Sequence, residues 1–231
     1  MELRQLLNQS EKSLFAKYLV DTRKSKGAGF SETKRSHVGE AHLQFGRLYA
    51  LYDEEGPEPD EMLGGFVLHD LGSFPQSYPK PDMTQVQPEF AFECGELWAK
   101  AAGAARLVRQ AAWILVGELQ AQAVLVYPIF KPWNLTIAYR GGFDRIGEPI
   151  EWPYARTLDG GKIFVQAMVS DGEKLQSSIR EAAQFGFEAA EDTSRIRFNS
   201  PFQICAKSPR ANREGLLWRE TPAANPMRNA A

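Results

Sequence analysis

Three kinds of side chain in this sequence have the type and spacing to do chemistry. Glu93 and Glu96 lie three apart on an apolar, aromatic-rich segment, Phe90-Ala-Phe-Glu-Cys-Gly-Glu-Leu-Trp-Ala99. A carboxylate buried in such surroundings has a raised proton affinity, which is the tuning a general base needs. The other reading of each is a solvated edge or an ion pair with Lys100 or an arginine. Alternation along a strand puts the two on opposite faces, so at most one should face a given cleft. Tyr139 stands just before Gly141-Gly142-Phe143, and its phenol can supply a proton; without the Gly-Gly-Phe it would read as a core tyrosine on a helix. Cys94 lies between the two glutamates, but no His stands nearby in sequence to activate it. A buried structural thiol is the better reading than a nucleophile.

The next feature is a turn. Lys100-Ala-Ala-Gly103-Ala-Ala105 follows the apolar segment, and Leu107, Ala111, Leu115 and Leu119 then recur every four residues, one face of a helix. Small residues at a strand-to-helix junction let the main chain approach a ligand closely. The unpaired amides of the helix N-terminus face outward with partial positive charge and suit a phosphate. Lys100, Arg106 and Arg109 add full charges. No Gly-Lys-Ser/Thr follows, so this is not a P-loop, and a Rossmann Gly-x-Gly-x-x-Gly is absent too. Taken alone, Ala101 to Ala105 are simply good helix formers at a helix start.

The elements that must position these residues can be read in order. Ser10 to Lys26 predicts an amphipathic helix capped by Ser10, with Leu14, Phe15, Tyr18 and Leu19 on one face. Gly27 to Gly39 reads as a polar loop. Leu43 to Tyr52 and Met62 to Leu68 predict two strands, joined by a hairpin loop marked by Gly56, Pro57 and Pro59. With the strand at 90–99 they make an antiparallel meander. Gly64-Gly65 within a strand marks a bulge or a close backbone approach. The proline-rich run from Leu71 to Pro88, with Phe74 and Tyr78, either walls a substrate tunnel or packs as a surface loop. Ala123 to Tyr127 suits a buried strand. Pro132 lies near the start of a short helix that Gly141-Gly142 ends. Lys162 to Val169 predicts one late strand, and Asp171 to Phe187 a helix with Leu175, Ile179, Ala182 and Ala183 on one side.

This order, with the spacing Lys100-x-x-Gly103-x-Ala105 and the segment Tyr139-Arg-Gly-Gly-Phe143, resembles the GNAT superfamily of acyl-CoA N-acyltransferases over roughly Leu43 to Val169. Lys100 stands where that family usually has Arg or Gln, and the few residues that normally separate strand from loop are missing. Phe92-Glu93 and the run from Gly64-Gly65-Phe66 to Phe74-Pro75 look like the autoinducer-synthase-like branch. Glu96, however, occupies the Arg position of its aromatic-Glu-x-x-Arg pattern, so lactone production is not implied.

The resemblance implies an α/β (α+β) fold with a mixed, mostly antiparallel central sheet flanked by helices. Its layout divides the chain into an N-terminal helix and loop (1–40), an acyltransferase-like domain (41–200) and a C-terminal tail (201–231). It implies transfer of an acyl group from an acyl thioester, acyl-CoA or acyl carrier protein, to the amine of a small-molecule acceptor. Glu93, or less favourably Glu96, would be the base, and Tyr139 would protonate the departing thiolate. The donor would lie against Trp98, Lys100, Ala101, Ala102, Gly103, Ala104, Ala105 and Arg106, and against Asn134 on the short helix. A non-catalytic thioester-binding or scaffold protein of the same fold is the alternative. A module whose basic arms bind nucleic acid is less favoured.

Bulk properties fit these readings. The chain has 231 residues, 43% hydrophobic, with a net charge of −2, enough for a sizeable core and with no global pull toward nucleic acid. Residues 1–37 carry eight Lys/Arg against four Asp/Glu, and residues 207–231 carry five against two. Basic arms of this kind suit an acidic partner such as acyl carrier protein, an attraction that salt would weaken. Two cysteines and three histidines, scattered, show no metal spacing. No apolar run is long enough to span a bilayer and no signal core stands at the N-terminus, which predicts a cytoplasmic protein.

Overall fold

The computed structural model describes residues 1–25, 28–29, 46–52, 61–71, 90–100, 102–157, 159–184, 187–189 and 195–198. Most of the loop predicted at 27–39, the first residues of the strand predicted from Leu43, the hairpin connector at 53–60, the proline-rich run at 72–89, Ala101 and the tail beyond 199 lie outside the described residues.

The predicted meander forms: β3 (Arg47–Tyr52), β4 (Met62–Asp70) and β5 (Ala91–Ala99) pair antiparallel in sequence order. Helix α2 (Ala102–Glu118) then crosses over to β6 (Ala123–Val126), which pairs parallel with β5. Only a crossover of this kind can place two successive strands in parallel. Pro132 opens α3 (Pro132–Arg140), as predicted, and Gly141 and Gly142 end it, the latter at φ +82°.

The sheet extends beyond the predicted strands at both edges. β1 (Glu2–Gln5) lies between β3 and β12 (Arg195–Phe198), and β11 (Phe187–Ala189) closes that edge. β10 (Met168–Asp171) and β7 (Asp144–Arg145) continue from β6. The result is a nine-stranded, mostly antiparallel sheet. The first residues of the chain therefore lie within the central sheet. A three-stranded sheet of β2 (Ala28–Gly29), β8 (Ile150–Thr157) and β9 (Lys162–Val165) stands beside it.

Both faces of the main sheet are covered. Tyr49, Leu51, Phe66, Leu68, Phe92, Val124 and Met168 meet Val108, Ala111 and Leu115 of α2 and Leu175 and Ala182 of α4 (Gly172–Ala183). On the reverse face Leu48, Ala50, Val67 and Trp98 pack with Phe15 of α1 (Gln9–Ser25). Phe15 is buried, Tyr18 and Leu19 are partly so, and Leu14 remains exposed. The α1 cap is Asn8, not Ser10. Its Oδ1 accepts from the Glu11 amide at 2.8 Å and from the Ser10 hydroxyl at 2.7 Å, which places Ser10 inside the first turn.

Gly64 and Gly65 mark a close approach on each face. A Cβ on Gly64 would meet the Trp98 carbonyl at 2.6 Å and Val108 of α2 at 2.8 Å. One on Gly65 would meet the Tyr49 carbonyl at 2.4 Å and the Phe15 ring at 2.6 Å.

Two predicted elements are corrected. The single strand at Lys162–Val169 is two, β9 and β10, in different sheets. The break is Gln166, whose buried Nε2 donates to the carbonyls of Ile146, Gly147 and Ala167 at 3.0 to 3.1 Å. That network holds the chain between sheets where its hydropathy shows a continuous strand. The helix predicted from Asp171 to Phe187 ends at Ala183, because Phe187 belongs to β11.

Candidate active site

Glu93, Cys94 and Glu96 lie where β5 and β6 part. Their ladder runs from Ala91↔Ala123 to Glu93↔Leu125 and stops there, while β5 continues to Ala99. On its other side β5 carries a bulge. Val67 pairs with Gly95 and Gly65 with Trp98, so Glu96 and Leu97 together oppose Phe66 alone, with Glu96 at φ +50°. A bulge leaves its extra residue outside the ladder and re-aims the residues beyond it. The main chain at Glu96 and Leu97 is thus released from β4 next to the opening toward β6.

The bulge also corrects the alternation argument. Phe92 and Cys94 face α2, yet Trp98, an even number of residues further on, packs with Phe15 on the reverse face. One extra residue has reversed the phase of the strand. Glu93 and Glu96 are therefore not a simple alternating pair: Glu93 lies in regular strand and Glu96 sits in the bulge at a strained φ.

Glu93 is 5% exposed. Its Oε1 lies 3.5 Å from where a Cβ on Gly95 would stand, so the carboxylate leans along β5 toward the bulge. Opposite it in the β4–β5 ladder is His69, fully buried. Tyr127, just past the end of β6, stacks on Trp152 at 5.9 Å. Burial, and then the charge of Glu93, raise the Tyr127 phenol's pKa above its ordinary value. His69 and Tyr127 escaped the sequence reading, although a histidine inside the otherwise apolar run Phe66-Val-Leu-His69 was a usable signal.

Cys94 is pushed up to about 12 by burial, with a further rise from Glu93. Such a thiol stays protonated at neutral pH and is a poor nucleophile. At pH 8, iodoacetamide should label Cys94 in the native protein roughly 10²-fold or more slowly than in the unfolded chain. Peptide mapping separates it from Cys205, and equal rates in the two states would show a reactive thiol.

Helix α2 begins directly after β5. Gly103 is exposed, with nothing within 4 Å of a Cβ position, and no acidic residue occupies the first turn. Ala104 is buried against Leu63 and Ala99, and Ala105 packs beside it. Together they bring the helix start close to β4 and β5. Arg106 is exposed, while Arg109 is half-buried, with its pKa lowered by burial and then by Arg106. Ala102 opens the helix.

Two residues expected to bind the donor have other partners. The Lys100 ammonium is ion-paired with Glu61 and lies over the Tyr18 ring, 4.1 Å from its centroid. Its charge is thereby offset. Trp98 is 1% exposed, between Phe15 and Tyr18, with both ring centroids 5.5 Å away. Its indole is core, so only its main chain could face a ligand.

Parallel pairing brings the C-terminal ends of β5 and β6 to the same edge, and α3 follows β6 with Leu135 and Ala138 buried in the cluster that includes α2. Phe143, buried, stacks on Trp113 of α2 at 5.2 Å and ties the end of α3 to α2. Tyr139 is 45% exposed, with the Arg145 guanidinium 5.5 Å from its ring centroid. It is not a core tyrosine. The Asn134 amide donates to the Ile129 carbonyl at 3.2 Å, a contact that fastens the start of α3. A groove of about 830 Å³ between the end of α2 and α4, lined by Gly117, Glu118, Ile179 and Arg180, includes none of the expected site residues. Among the described residues no group of three or more His, Cys, Asp or Glu is placed to hold a metal ion, and no helix is long and apolar enough to cross a membrane.

No protein-family model matches this sequence, and no curated protein matches it. Solved structures do share the fold. FeeM, an N-acyl amino acid synthase from uncultured soil microbes, superposes with a TM-score of 0.55 at 12% identity, over 80% of this chain and 98% of that one. TofI, solved in a ternary complex with an inhibitor and MTA, gives 0.50 at 13% identity, over 78% and 97%. Spermidine N-acetyltransferase from Vibrio cholerae, in complex with CoA and spermine, gives 0.50 at 14% identity, over 75% and 96%. The chain thus has the GNAT-like α+β fold. Identities this low establish the fold alone; the chemistry has to be argued from the residues.

Proposed function

We propose that this protein is an N-acyltransferase that moves an acyl group from an acyl thioester, carried on CoA or acyl carrier protein, to the amine of a small-molecule acceptor. The observation that carries this reading is the opened β5–β6 pair with the β5 bulge beside it, followed at once by the amide-rich start of α2. The Gly103 turn takes the donor's phosphates. The thioester then lies along the opening, where main-chain N–H groups released at the bulge polarise its carbonyl. Glu93 takes the proton of the incoming ammonium, and the amine attacks the carbonyl carbon. The C–N bond forms, the C–S bond breaks, Tyr139 protonates the departing thiolate, and the second proton shed by the nitrogen restores the phenol by way of solvent. The products are an amide and a free thiol.

Amine-dependent release of thiol tests the reading. Acyl-CoA and acyl carrier protein donors of several chain lengths would be offered to amino acids and polyamines, the acceptor classes named for two of the structural neighbours. Thiol release that rises with amine is the expected result. The Lys100–Glu61 pair favours a second reading, a thioester-binding protein without turnover, because the usual free cation of the loop is occupied. Calorimetric binding of CoA with no amine-dependent thiol release would select it. Gly103→Glu should place bulk and like charge against the pyrophosphate and raise the CoA dissociation constant at least about tenfold, roughly 1.4 kcal/mol. Unchanged affinity in the folded variant would remove the helix start as the anchor.

A further inference from the structure

His69 and Tyr127 have no part in the reaction scheme above, yet they lie beside its base. His69 and Glu93 are directly opposite in an antiparallel ladder, 0% and 5% exposed. Residues so placed share a face, with Cβ atoms about 5 Å apart. Tyr127, one residue past the end of β6 and two past Leu125, the parallel partner of Glu93, lies close enough for the Glu93 charge to act on its phenol. Three titratable groups on β4, β5 and the end of β6 therefore form a row across the sheet where β5 and β6 separate.

A carboxylate buried to this degree is costly to ionise unless a neighbour supplies positive charge or a donated hydrogen bond. Several neighbours among the described residues offer it no charge. Leu71, Ala91, Ala123 and Leu125 on this face are apolar. Cys94 is on the α2 face of β5, away from Glu93, and stays a neutral thiol. Arg47 is ion-paired with Asp70 at 2.6 Å, on the β4 residue that pairs with Phe92 of the α2 face. Lys100 is paired with Glu61 beyond the bulge. His69, directly opposite Glu93 and equally withdrawn from solvent, is placed to supply it. An imidazole can either accept a proton and form a charged pair or donate a neutral N–H.

We propose that His69 is a positioning residue for Glu93: it holds the carboxylate ionised and leaning toward the bulge, ready to take the acceptor's proton, while Tyr127 closes the row on the β6 side. This rests on the proposed reaction only in giving Glu93 its task; the coupling of His69 to Glu93 exists with or without turnover.

The test separates the two. With only three histidines in the chain, the imidazole signals of the labelled protein can be followed by NMR against pH, and His69→Gln identifies the one that belongs to residue 69. Expected is a His69 titration midpoint lower by about one pH unit or more in Glu93→Gln than in the unmutated protein, since the carboxylate favours the imidazolium. An unmoved midpoint overturns the inference. In kinetics, His69→Gln should move the acid limb of kcat/KM to higher pH by about one unit and lower kcat with little change in donor affinity. His69→Leu, which offers no donor, should do more. If Glu93→Gln abolishes turnover while both His69 variants keep the unmutated pH profile, His69 is merely structural and the inference falls alone. If Glu93→Gln keeps full turnover, the assignment of the base falls, and the NMR comparison still judges the coupling. Should the His69 variants fail to fold, that comparison within Glu93→Gln decides the matter.

Discussion

Glu93→Gln should lower turnover roughly 10²- to 10⁴-fold while leaving donor affinity nearly unchanged. The substitution keeps the shape of the side chain and removes its capacity to take a proton. Glu93 stands at the last rung of the β5–β6 ladder, and its carboxylate leans toward the bulge where the carbonyl is to be polarised. The phosphate site proposed at Gly103 lies beyond the far end of β5, so donor binding should not register the change. Raising the pH would not restore the rate, because the missing group is the acceptor of the proton. Glu96→Gln is the control: its carboxylate sits in the bulge at a strained φ, and a larger loss there would move the base three residues along the strand. Unfolding should be followed in parallel, since Glu93 is buried.

Tyr139→Phe should reduce turnover roughly 10²-fold or more with donor affinity little altered. Removing only the hydroxyl keeps the ring under Arg145 and so isolates the proton or hydrogen bond supplied to the thiolate. The loss should shrink with a donor whose thiol is more acidic, because a better leaving group needs less assistance. Single-turnover rates are required, so that slow product release does not hide the chemical step. Unmutated turnover with both donors would place the catalytic acid elsewhere, and Tyr139 would then be an exposed ring stacked by a guanidinium.

Several elements could be read from neighbouring residues alone. The β3–β4–β5 meander, the four-residue apolar recurrence of α2, the apolar run of β6, and α3 bounded by Pro132 and Gly141-Gly142 each arise from the chemistry of neighbouring residues. Their order along the chain was enough to carry the likeness to the acyltransferase fold. The glycines at 64 and 65 likewise announced a close approach, because a side chain there would strike backbone or ring.

Register and partnership depend on residues far apart in the chain and emerge only on folding. β1 and β12 are short and mixed in polarity, and become strands through each other and β3. Lys162–Val169 is mostly apolar, yet the three carbonyls that accept from Gln166 split it between two sheets. Trp98 follows the even-numbered face in sequence but lies on the other, since the bulge opposite Phe66 reverses the alternation. Lys100 has the charge for a phosphate, but Glu61, on the adjacent strand's approach, holds it. The pairing of His69 with Glu93 is of the same kind: two residues twenty-four positions apart meet because one antiparallel register, and no other, sets them opposite each other.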